Sequence, residues 1–163
     1  MIELRCYEYV TASYERVCAL LDGDAAGLFQ RATRAASVRA DEVGATLRVK
    51  LGPLEVGVPV SIRVVSRSEE VGVLGDRTAR IDIAWTAARA GGFFPSMEAS
   101  LRLYPLSRHE TQIELYGAYR PPLGPVGTAL DALLLHRVAE AAVLRFVEDV
   151  AARINAELAS SSV

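Results

Sequence analysis

His136 and Glu140 stand four residues apart in a stretch, 128 to 158, that contains neither glycine nor proline. A helix there sets both side chains on one face, within reach of each other. A carboxylate that orients an imidazole prepares it to take or give a proton, so the pair is a candidate for general acid–base work. Tyr119 adds a hydroxyl on the same side of its segment as Ile113 and Leu115, either as a third proton-handling group or as core. Arg137 can meet an acidic ligand head, or it can pair with Glu140 or Asp131. The plain alternative for the pair is a slightly rotated helix, with His136 at a rim and Glu140 in solvent beside Arg137.

Other chemistry is thinly provided. No nucleophile elbow, P-loop or dinucleotide-binding glycine fingerprint occurs. Gly124 and Gly127 sit among prolines and read as a turn. Cys6 and Cys18 form no C-x-x-C pair and read as free thiols. His109 and His136 lack the cysteine or carboxylate spacing of a zinc site, and neither a metal nor a cofactor is expected. The 18 basic residues, all arginine except Lys50, oppose 20 acidic ones for a net charge of −2. That balance argues against nucleic acid as a partner.

The elements that must position these groups follow from periodicity. Ile2, Leu4, Cys6 and Val10 alternate with polar neighbours as in a strand. Thr11 or Ser13 can cap a short helix to about Leu21, and Asp24 a second to about Ser37. From Val43 to Tyr119 the period is two, with apolar sets at Leu47–Leu51, Val56–Val64, Ile81–Trp85, Met97–Leu103 and Ile113–Gly117. Strands with one apolar and one wet face imply an antiparallel sheet covered on one side. Gly52-Pro53, Gly75-Asp76, Gly91-Gly92 and Ser107-Arg108-His109 punctuate it. Thr128 and Asp131 begin the last helix, whose stripe Val143, Val147, Val150 and Ile154 continues through His136 and Glu140, with Leu133 at its edge. Only this helix is long enough to cover the sheet.

This order resembles the helix-grip superfamily, which includes START lipid-transfer domains, the birch-pollen-allergen proteins and the bacterial polyketide cyclase/dehydrases (SRPBCC). The most specific stretches are Tyr104-Pro105-Leu106, Thr111-Gln112-Ile113 and Tyr119-Arg120-Pro121-Pro122-Leu123-Gly124-Pro125-Val126-Gly127, then Asp131 and Arg137. Thr11-Ala12-Ser13 departs from the Ala-Pro that commonly enters the first helix. The resemblance implies an α+β fold: a curled sheet of six or seven strands around a long C-terminal helix, with two short helices after strand 1. It also implies a cavity that takes an apolar or aromatic molecule.

The expected organisation is one ligand-binding domain over residues 1–159, with 160–163 as a frayed tail. Hydrophobic residues make up 51% of the 163, yet the longest uncharged run is ten residues, Pro121 to Leu130. A membrane helix needs about 20 apolar residues, so no span is expected. Glu3, Arg5 and Glu8 break any signal-peptide core, and a cytoplasmic monomer or homodimer is expected. The leading expectation is a carrier or sensor for a small hydrophobic molecule, a lipid, isoprenoid or polyketide. Trp85, Phe93, Phe94, Met97, Leu101, Tyr119, Leu133, His136 and Arg137 are the candidate contacts. The rival is a cyclase or aromatase that uses His136 with Glu140 or Tyr119. A third reading is a protein-interaction module using Arg48, Lys50, Arg63, Arg80 and Arg102 on the outer sheet face.

Overall fold

The computed structural model describes residues 2–51, 60–87, 96–120 and 129–161, and only the backbone of 2, 41, 44–51, 87, 120 and 129–135. Five strands and two helices follow in the order β1 (Ile2–Val10), α1 (Tyr14–Leu51), β2 (Val60–Val71), β3 (Arg77–Ala87), β4 (Ser96–Ser107), β5 (Glu110–Arg120) and α2 (Ala129–Ser160). All strand pairs are antiparallel, in the spatial order β1-β5-β4-β3-β2. The sheet is therefore a meander from β2 to β5 that takes β1 onto its far edge.

Alternation sets the two faces. Leu101, Leu103, Ile113, Leu115, Ile81 and Ile83 are buried against the helices. Across the strands the register lines up Ile62, Trp85, Met97 and Tyr119 as one transverse row on that face. In the next row Gly117 faces Ala99, and a Cβ at Gly117 would stand 2.7 Å from the Ala99 methyl. Only glycine permits β4 and β5 to approach so closely there. At the β2–β3 turn Gly75 takes φ 81°, a left-handed conformation that favours glycine.

Ser13 caps α1, its Oγ accepting from the Arg16 amide. The boundary between the two expected helices, at Asp22-Gly23-Asp24, appears as a kink, with Asp24 at φ −150° and ψ 56° inside α1. Asp24 Oδ1 then accepts from the Gly27 amide at 2.9 Å, as the N-cap of the second arm. Two helical arms follow β1, but the second continues past Ser37 to Leu51. The reason is a second reading of the same residues: Ala36, Ala40, Val43, Leu47 and Leu51 recur at helical spacing. Leu47 to Leu51 is thus helix, Arg48 and Lys50 do not belong to the sheet, and the described strands number five. Residues 52–59, 88–95 and 121–128, with Gly52-Pro53, Gly91-Gly92, the proline corner and Thr128, lie outside the described residues.

Helix α2 packs on α1 and along β1. The Phe29 and Phe146 rings meet with centroids 6.1 Å apart, and Trp85 sets its ring edge-on to Phe146 at 5.3 Å. Polar clamps close the C-terminal end of α2: Asn155 accepts from the Thr11 amide, and Arg16 donates to the Leu158 carbonyl. At the other sheet edge Gln30 bonds both Val60 O and Ile62 N, satisfying edge groups of β2.

Candidate functional site

Tyr119 sits near the end of β5 on the inward face, paired with Met97 on one side and Ile2 on the other. His136 comes to it from α2. The Tyr119 hydroxyl lies 3.0 Å from His136 Nδ1, and the rings stack at 12° with centroids 6.1 Å apart. On the other side of the imidazole, Nε2 lies 3.1 Å from Glu140 Oε1. The three groups form one hydrogen-bonded chain.

Exposure grades along that chain. Tyr119 is 1% exposed, and the His136 and Glu140 side chains are 30% and 54% exposed. Burial, with the Glu140 charge adding to it, pushes the Tyr119 hydroxyl up to about 12. The phenol therefore stays protonated, and it donates to Nδ1 in the His136 tautomer that carries its proton on Nε2, toward Glu140. This assignment of protons satisfies each group. It gives a path for a proton from the buried face of the sheet to the protein surface.

The outer end of the chain opens into a groove of 540 Å³ between β1 and α2. Leu4, Cys6, Ala141, Val143 and Leu144 supply its apolar lining, and Glu3, Arg5, His136, Arg137 and Glu140 its polar groups. Leu144 is 43% exposed, the most open of the apolar side chains that line it. Cys6 is free and half-buried; burial first, then the Glu8 and Glu114 charges, push its thiol up to about 12. Such a thiol is a poor nucleophile.

The remaining expected contacts divide in two. Trp85, Met97 and Leu101 are at most 3% exposed, with Trp85 closed against Phe146, so they pack as core and do not line the groove. Arg137 is exposed at the groove. Glu140 pairs with His136 in place of the ordinary partner expected for it, Arg137. Phe93 and Phe94 lie outside the described residues, as does the Leu133 side chain.

The periodicity missed two features. The first is the contribution of β1: alternation put Leu4 and Cys6 inward, but only the strand order shows β1 as the edge beside α2. The second is Glu114, on the outer face yet 3% exposed. Arg5 engages one of its oxygens and the Tyr104 hydroxyl the other, at 3.0 Å. A buried carboxylate held by an arginine and a phenol ties β1, β5 and β4 together.

Two solved structures superpose on nearly the whole chain at a TM-score of 0.50. One is the protein TTHA0849 from Thermus thermophilus, 18% identical, covering 96% of this chain and 99% of that one. The other is the ZhuI aromatase/cyclase from Streptomyces sp. R1128, 13% identical, covering 96% and 95%. No family model and no curated protein matches the sequence. The chain has the helix-grip fold: a curled antiparallel sheet gripping a long C-terminal helix. No helix among the described residues is long and apolar enough to cross a membrane.

Proposed function

We propose that the chain binds a small, mainly apolar molecule, as carrier or sensor, in the groove between β1 and α2. The supporting observation is the coincidence of an open apolar groove with the end of the Tyr119–His136–Glu140 chain. Leu144 and Ala141 offer the apolar area, bordered by the buried Leu4 and Val143, and such area is worth roughly 25 cal/mol per Å² covered. His136 offers the ligand one polar contact. Trp85, Met97 and Leu101 stay in the packed core, and Tyr119 reaches the groove only through His136. Native mass spectrometry of the purified chain, with thermal shifts in fatty acids, isoprenoid quinones and aromatic polyketides, tests this. A retained adduct or a saturable stabilisation is expected. A bare mass with no shift from any class overturns it.

The hydrogen-bonded chain favours a second reading, proton transfer to a bound polyketone in a cyclase-type reaction. His136 is the base in that case, Tyr119 and Glu140 hold its tautomer, and the apolar walls fold the substrate. A His136→Ala variant that binds but does not turn over is expected. Unchanged turnover in that variant contradicts it.

A further inference from the structure

The groove carries five polar side chains, and four are already engaged. Glu140 is held by His136 Nε2, and His136 by Tyr119. Arg5 turns to Glu114 on the outer face. Glu3 takes a hydrogen bond from the Tyr116 hydroxyl, whose pKa that contact raises. Arg137 is exposed at the groove and has no hydrogen-bond or ion-pair partner among the described residues.

We infer that the groove selects a monoanionic amphiphile, its carboxylate on the Arg137 guanidinium and its tail over Leu144 to the edge of Leu4. Charge complementarity supplies the reason. The fixed acids of the groove are each satisfied within the fold, so the charge left to be met by a ligand is a single positive one. A planar guanidinium suits a carboxylate, which can take two parallel N–H donors. The carboxylate stays at the rim, where water still reaches it, so no charge has to be buried. The tail covers Leu144, the exposed apolar side chain of the groove, and the half-buried Ala141, and reaches only the edge of the buried Leu4. His136 Nε2 and Glu140 mark the neighbouring wall and hold off a second anion, which limits the ligand to one acidic group.

This rests on the groove reading above, and paired probes separate the two. Dodecanoate and dodecanol share a tail and differ in charge. Titrations of each into the full chain, followed by isothermal calorimetry and by methyl NMR of Leu4 and Leu144, are expected to show both binding. Dodecanoate is expected to bind about fivefold tighter, the upper range for an exposed ion pair. Arg137→Ala is expected to bring dodecanoate to the level of dodecanol, and Arg137→Lys to keep part of the preference. Leu144→Asp, at an exposed position that leaves the core intact, is expected to weaken both. Equal affinities for the two probes in the unaltered chain, or an unchanged preference in Arg137→Ala, overturn the anion site and leave the groove standing. Binding of neither probe, or shifts confined to Met97 and Trp85, overturns the groove and the anion site together.

Discussion

The two arms of α2 do different work with the same helical geometry. From Val143 to Ile154 the buried face is apolar: Val143, Phe146, Val147, Val150 and Ile154 are at most 3% exposed. That arm lies on α1 through Phe29 and is clamped by Thr11, Arg16 and Arg31. Seven residues before Val143, the same helix presents His136, then Glu140, to a buried tyrosine and an open groove. Packing fixes one arm, so the other can hold polar groups where an unbroken apolar stripe would otherwise continue. Helix-grip folds need the first arm to exist; the second arm is where this chain has room for chemistry.

Breaking the packed arm should cost most. Phe146→Ala removes the ring that both Phe29 and Trp85 touch. The expected loss is about 3–5 kcal/mol of stability, seen as a large drop in the denaturant midpoint. A loss under about 1 kcal/mol would mean that this arm does not anchor the fold.

Tyr119→Phe cuts the polar arm at its buried end. It keeps the ring and removes one hydrogen bond, so about 1 kcal/mol is expected, with little change in Tm compared with Phe146→Ala. The hydroxyl also marks an alkaline window. Its folded pKa is raised from 10.0 to about 12. The resulting stabilisation is complete below the unfolded value and is lost as pH rises from there through the folded one. Unfolding curves across pH 10 to 12 should bring the unaltered chain down toward Tyr119→Phe, and parallel curves would place the hydroxyl in a more open setting.

Glu140→Gln is the mildest cut. The carboxylate is 54% exposed, and at most about 0.5 kcal/mol is expected in stability. Its effect should appear in the imidazole instead, as a changed His136 Nε2 chemical shift in the ¹⁵N spectrum, since that nitrogen loses its carboxylate partner. A stability loss matching Phe146→Ala would show that the polar arm bears the fold after all.

Much of this architecture was legible in the sequence. Period-two segments gave β3, β4 and β5 with their inward faces, Asp24 announced its kink, and the uninterrupted run to Leu158 announced α2. The i, i+4 spacing of His136 and Glu140 was enough to bring those two together. The stretch Leu47–Leu51 was not legible, because five residues with three apolar positions satisfy both a strand and a helix continuing from Ala40. The Tyr119–His136 contact was only partly so: each residue was on the right face, but their meeting depends on how the helix crosses the sheet. The groove was further from reach, since it needs the strand order that puts β1 beside α2. Glu114 shows the same limit, an alternating pattern that reads as wet while neighbouring strands bury the position.

The imidazole nitrogens of His136 report most directly on whether the polar arm is a binding site. His109, exposed in the turn between β4 and β5, serves as the reference in the same ¹⁵N spectrum. Addition of uncharged dodecanol should leave His109 still and shift both His136 nitrogens saturably, as a ligand enters the groove beside Nε2. Saturable binding by calorimetry with the His136 nitrogens unmoved would place the ligand elsewhere and contradict the site.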